Sequence, residues 1–377
     1  MITIENQKKL IEVIRCICNK VLLDQDKEIT VPELSLKEWN DLFSLASLHG
    51  MLPVLMKFFE TQKVEDKELR RNMMKWFATA QKNSQRYQLR LQTMEELARL
   101  FGEHGIDVMF FKGAALAQLY PKPEWRVFSD IDFYLYGKWR EGTEVMDGQG
   151  IKNRPYYHHN TEATLNGILL ENHYDFLDRL NHRTNLILDD DLKRMVKEHG
   201  RDYQAGFLHD NMDNAYIMPP TMNAVFLLSH MSGHFVNESI PLRMLYDWIL
   251  FLRAYATEVD WNRVTALYDA AGMTKFVGIV QGILQTRFDV VVKECPVKPL
   301  TGELVDRVWE SVACPPEPNP HKMYTVPFFV YETKTFLGNR WKHQIVYPGE
   351  SYLLLSFRYA WSVIKKKLGL LTIPEGR

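Results

Sequence analysis

Along the first hundred positions apolar residues recur at three- and four-residue spacing, as in Leu42, Leu45 and Ala46 and again in Leu91, Met94, Leu97, Ala98 and Phe101. That is the period of helices burying one face. Ser35 stands three residues before Glu38, the arrangement that satisfies the first backbone N–H groups of a helix. Gly50 and Pro53 punctuate the pattern, and a second helical stretch runs from about Asp66 to Phe101. At Gly105 the texture changes. Ile106 to Phe111 is a short apolar run that reads as a buried strand, followed by a small helix from Ala114 to Tyr120. Pro121 and Pro123 keep the next segment from being helical throughout and lead into a second strand, Val127 to Tyr136. A helix is expected from Trp139 to about Asp147. After a polar stretch containing Tyr156, Tyr157, His158 and His159, a third strand is expected from Gly167 to Tyr174. Helical periodicity returns from Pro219 to about 290. Pro-rich loops around 315 to 327 then lead to a final amphipathic helix, Tyr352 to Leu368.

This order predicts an α+β protein: N-terminal helices over 1–85, a small mixed-sheet core over 86–215 and a C-terminal helical domain over 216–377. A length of 377 residues with 46% hydrophobic content is enough for a large core. The net charge of -1 supplies no global field for a polyanion, so no stable nucleic-acid partner is expected. Cys16, Cys18, Cys295 and Cys314 are too few, and the first two too close, for a disulfide framework. The N-terminus has no signal-peptide pattern and no apolar run reaches membrane-spanning length. A cytoplasmic protein is the expectation.

The chemistry concentrates in the middle of the chain. In an extended strand alternate side chains share a face, so Asp130 and Asp132 project together while Ile131 and Phe133 turn to the core. Two such carboxylates suit a hard cation carrying a nucleoside triphosphate, with magnesium or manganese as the ion. Upstream, Lys112, Gly113 and Ala114 open a helix directly after a strand, where backbone N–H groups can approach a phosphate. Lys112 adds a point charge there, and Arg126 is placed to reach phosphate oxygens. A third carboxylate is required for a second metal or for the proton of an attacking hydroxyl. Glu171, in the apolar run Ile168-Leu169-Leu170, is the candidate; His173 and Asp175 share its face, and Asp175 is the fallback.

These residues resemble the uncharacterised bacterial nucleotidyltransferases of the polymerase-beta-like superfamily, which carry a Lys-Gly-x-Ala-Leu, Tyr-x-x-Pro, Arg-x-x-x-Asp-x-Asp series. Here the series is Lys112 to Leu116, Tyr120 to Pro123 and Arg126 to Asp132. Looser similarity takes in Trp39 to Pro53, Leu242 to Trp248, Asp260-Trp261 and Trp341 to Tyr359. The resemblance implies a nucleotidyltransferase core in an α+β chain, a cleft between core and helices, and transfer of a nucleoside monophosphate from an NTP to a hydroxyl-bearing acceptor: a small molecule, a sugar or a protein. Asp130, Asp132 and Glu171 would be the catalytic and metal-binding carboxylates. Two departures are Gly113-Ala114, where the wider superfamily has Gly-Ser, and Asn172, where an apolar residue is usual.

Other features have plainer readings. His230 and His234 share a helix face at metal-ligand spacing but lack the glutamate of a zinc hydrolase, so they are expected to pack or to line a substrate pocket. Arg243 and Asp247 read as a helix-surface pair, and the resemblance allows that they border the acceptor pocket with His173. Asp189, Asp190 and Asp191 read as a helix cap. The basic segment 357–368 is expected to pack on the helical domain, with peripheral contact to a membrane or partner the lesser reading. The alternatives in function are a metal-dependent glycosyltransferase using a sugar nucleotide, and a non-catalytic nucleotide-binding or toxin–antitoxin interaction module.

Overall fold

In a computed structural model of the chain, residues 2–25, 31–60, 62, 64–156, 159–179, 182–208, 212–316, 319–322 and 325–367 are described. Tyr157, His158 and Leu368 lie outside them.

The N-terminal helices form as their pattern predicts. Helix α1 (Ile4–Leu23) packs on α2 (Leu36–Leu48), and Ser35 and Glu38 make the reciprocal capping box. Gly50, at φ 69°, turns the chain into α3 (Leu52–Phe59). Helix α4 (Lys67–Glu103) is 37 residues long, roughly 55 Å at 1.5 Å per residue. From Tyr87 on it buries Leu91, Met94, Leu97 and Phe101 against the sheet, where the rings of Phe101 and Phe133 lie 5.6 Å apart.

The sheet contains β1 (Val108–Phe111), β2 (Asp130–Tyr134), β3 (Arg154–Tyr156), β4 (Asn160–Leu165), β5 (Ile168–His173) and β6 (Ala215–Ile217). Their order is β3-β4-β5-β2-β1-β6. It is mixed: β1 runs antiparallel to β2, whereas β2 with β5 and β1 with β6 are parallel. The three expected strands are β1, β2 and β5. Strands β3 and β4 arise within and after the polar stretch around Tyr156, to which no element had been assigned. Asn166 and Gly167, at φ 53° and 73°, form the tight turn that folds β4 back onto β5. One face, with Phe110, Ile131, Phe133 and Leu170, joins the core under α4 and α6 (Trp139–Gly148). The other presents Met109, Phe111 and Tyr134 to the core of the helical part.

That part contains α7 (Arg183–His199), α8 (Pro220–Asn237), α9 (Leu242–Tyr255), α10 (Trp261–Ala271), α11 (Thr274–Phe288), α12 (Glu303–Ala313), α13 (Val326–Gly338), α14 (Arg340–Val346) and α15 (Tyr352–Lys367). Helix α12 precedes, and α13 and α14 follow, the loops expected around 315 to 327. The N-terminal helices share its core: Tyr246 donates to Asn19 Oδ1 at 2.7 Å. His49 joins the two as well. Its Nδ1 accepts the Leu242 N–H at 3.1 Å and its carbonyl accepts the Arg243 N–H, which fixes the start of α9. Burial holds the His49 imidazole neutral, its pKa lowered to about 4.

Three expectations are corrected. Asp189 lies within α7, not at its start. It is buried and accepts the N–H groups of Phe176 and Leu177 and the guanidinium of Arg179, so it caps a loop rather than its own helix. Asp247 is buried and Arg243 half-buried, so they are no surface pair. Helix α15 buries Leu355 but leaves Leu353, Leu354 and Phe357 exposed, so the start of the segment 357–368 does not pack as expected; the side chains of 359–360 and 362–368 lie outside the described residues. Among the described residues no helix is long and apolar enough to cross a membrane, and the four cysteines are free.

Candidate active site

After β1 the chain turns at Lys112, whose φ of 56° and ψ of -125° are a conformation that costs a side-chain-bearing residue on the order of 1–3 kcal/mol. Helix α5 (Gly113–Ala117) follows; with five residues it is shorter than expected and carries little dipole. A Cβ at Gly113 would come within 3.0 Å of the Phe128 ring, so the closely packed turn requires glycine there. Ala114 is buried in the core beneath α4. Only its backbone can serve a ligand.

The turn drives the Lys112 ammonium onto Asp132, Nζ to Oδ1 2.6 Å. Burial works to lower the lysine's pKa, but the Asp132 carboxylate outweighs it and the net direction is up. Asp132 is also buried, and is held well below the usual carboxylate range: desolvation opposes this, and Lys112 and His173 overcome it. The strand register sets Asp132 beside Glu171 of β5, two residues from His173. His173 Nε2 lies 3.0 Å from Asp132 Oδ1 and 3.4 Å from Glu171 Oε2, and its Nδ1 lies 3.2 Å from the Asp175 carbonyl. With acceptors on both ring nitrogens, the geometry suits an imidazolium. Its pKa is raised, because the hydrogen bonds to Asp132 and Glu171 overcome burial. Asp130 stands half-buried on the same face of β2; burial and then the Asp132 charge push its pKa up.

Asp130, Asp132, Lys112, Gly113 and Arg126 line one wall of a cleft of about 250 Å³. The opposite wall is α8 and α9, with His230, His234, Arg243 and Asp247. The cleft lies at the boundary between core and helices, a common place for a ligand site. The His230 and His234 rings meet edge to face at 4.8 Å, and burial lowers the pKa of both, His234 to about 4. Arg126 does not point freely into the cleft. It is buried, its Nε and Nη2 are 2.8 and 2.9 Å from the two oxygens of Asp247, and its Nη1 donates to the Gly113 carbonyl at 3.0 Å. Tyr120 donates to Asp247 Oδ1 at 2.9 Å and Arg243 approaches Oδ2 at 3.4 Å. Two guanidinium groups thus share one carboxylate. The residue spacing had not revealed the Tyr120–Arg126–Asp247 cluster, although Tyr120 and Arg126 both belong to the motif series quoted above.

The donor set fits a hard divalent cation. Asp132, Glu171 and His173 each offer a ligand atom, all within 4.8 Å of one another, His173 only once a ring nitrogen has given up its proton, and the crowding of Asp130 against Asp132 is strain that such an ion relieves.

The strand pair β2–β5 thus carries these carboxylates with a glycine turn beside them. The family profile described as uncharacterised nucleotidyltransferase matches residues 35–289, well over half of the 377, and the chain belongs to that family. No curated protein and no solved structure matches it.

Proposed function

We propose that the cleft binds a nucleoside triphosphate with magnesium or manganese and transfers the nucleoside monophosphate to an acceptor hydroxyl. The observation carrying this reading is the pairing of Asp132 with Glu171 across β2 and β5, with Asp130, Asp132 and the Lys112-Gly113 turn lining one wall of the cleft. Asp130, Asp132 and Glu171 would hold the cation, which when bound neutralises charge on the triphosphate. Lys112, paired with Asp132 and lining the cleft, offers charge to a phosphate oxygen. Arg126 acts indirectly: through the Gly113 carbonyl it fixes the turn, and Arg243 is the more exposed guanidinium on the acceptor side. Glu171 accepts the proton of the acceptor hydroxyl. The new oxygen–phosphorus bond forms at the α-phosphorus as the bond to the β-phosphate oxygen breaks, and pyrophosphate leaves. His230 and His234, neutral at pH 7, border the acceptor.

Titration calorimetry with ATP, CTP, GTP and UTP in magnesium, beside a pyrophosphate-release assay, tests this. Binding of at least one triphosphate, lost in Asp130→Asn/Asp132→Asn, is expected together with pyrophosphate release. Binding without release, with any acceptor supplied, would leave a nucleotide-binding module; no metal-dependent binding at all would remove the reading.

A further inference from the structure

Helix α13 is rich in apolar residues, yet none of its side chains is buried. Val326, Val330 and Leu337 are between 48% and 76% exposed, and so are Leu353, Leu354 and Phe357 on α15. The spacing repeats at four and seven residues on α13 and at four on α15, so each helix presents a stripe rather than scattered positions. The Phe336 and Tyr352 rings, stacked at 4.8 Å, tie the two helices side by side. A joined apolar surface of this kind marks an interaction site.

The charge around it identifies the occupant. Along the sequence from 326 to 367 there are seven lysines and arginines against two glutamates, a net +5, so that in a chain of net -1 the remaining residues carry -6; of the seven, Lys342 is buried beneath the face. A second copy would bring the same cations against it, and stable protein interfaces are depleted in lysine. Nucleic acid is gripped by cations, with no use for two exposed apolar stripes. An apolar stripe with Phe and Leu flanked by Lys and Arg is the composition that lies in the surface of an anionic bilayer. We infer that α13 and α15 form a docking face for an anionic membrane surface, on which the protein rests peripherally. The face is tied to the catalytic half: Asn339 donates to the Asn237 carbonyl at 3.2 Å and Lys342 to the Glu238 carbonyl at 2.5 Å. Those carbonyls lie about one turn beyond His234 of the cleft, so docking would hold the acceptor wall close to the bilayer.

The test is co-sedimentation of the full chain with vesicles of phosphatidylcholine alone and of phosphatidylcholine with phosphatidylglycerol, beside sedimentation velocity without lipid. Binding to the anionic vesicles, weakened by salt, is expected. Leu353→Glu/Phe357→Glu lowers it by at least about tenfold, and Lys365→Gln/Lys366→Gln/Lys367→Gln by roughly a hundredfold. Thermal midpoints and nucleotide binding stay unchanged in both. Should the first variant fail to fold, the lysine variant decides. Absence of anionic-vesicle binding, equal binding to both vesicles, or a dimer that Leu353→Glu/Phe357→Glu dissolves would each overturn the inference.

Discussion

The ammonium of Lys112 reaches Asp132 at 2.6 Å from a residue whose own backbone lies in the left-handed half of φ space. A glycine would be comfortable at that position; the chain keeps a lysine. Strain retained at such a place is accounted for by the charge it delivers. Lys112→Gly should therefore fold about 1 kcal/mol more stably than Lys112→Ala, because only glycine relieves the backbone. Both should lose nucleotide turnover by at least about a hundredfold. Denaturant midpoints and pyrophosphate release, measured on the same two variants, check the pair of outcomes.

Asp247 carries the buried charge of Arg126 and part of that of Arg243. In Asp247→Asn the Arg126 guanidinium keeps its burial and loses its counter-ion, which should cost about 3 kcal/mol of unfolding free energy. Since Arg126 also holds the Gly113 carbonyl, triphosphate affinity should fall too, although Asp247 makes no contact with phosphate in the proposed reaction. A variant with unchanged chemical-denaturation stability would refute the account of this cluster.

Glu171 is assigned the proton of the acceptor hydroxyl. Glu171→Gln preserves shape and removes the base, so pyrophosphate release should slow by roughly 10²–10⁴-fold. Asp130 and Asp132 remain, and magnesium-dependent triphosphate binding should survive. Equal loss of binding and turnover would make Glu171 a metal ligand alone.

Acid should destabilise the fold through histidines kept neutral. His49 and His343 are buried with pKa values lowered to about 4 by desolvation. Above about pH 6.5 neither the folded nor the unfolded form is protonated at these sites, and their contribution is fully present. As pH falls from about 6.5 toward 4 the unfolded chain takes up protons that the folded one refuses, and stability drops by about 1.4 kcal/mol per pH unit for each histidine. Below about 4 the effect levels off. His49→Asn should shallow the slope of unfolding free energy against pH by one proton in that window.

The parts of the fold legible in the sequence were those in which local pattern and tertiary role agree. The glycine-bounded apolar run of β1, the alternation of Asp130, Ile131, Asp132 and Phe133, and the Ser35 capping box each state their structure within a few residues. Strand β4 escaped notice because Asn160, Thr161, Glu162 and Thr164 are polar, although Asn166-Gly167 is a hairpin signal in plain view. Asp189 shows the converse. Its sequence neighbourhood resembles a cap, and only the loop 176–179 folding over α7 reveals whose N–H groups it serves. Arg126 and Asp247, 121 residues apart, could not be paired by periodicity at all. Their partnership is a property of the cleft, not of either helix or loop.

That long separation has a consequence for the order of assembly. The wall bearing the carboxylates is translated well before α9, and until Asp247 emerges from the ribosome Arg126 has no counter-charge with which to be buried. The turn that Arg126 steadies therefore closes late, when the helices carrying His230, His234 and Arg243 are already made. A nascent or truncated chain lacking α9 holds Asp130, Asp132 and Glu171 but leaves Arg126 without its counter-charge, so the two walls of the cleft are completed together.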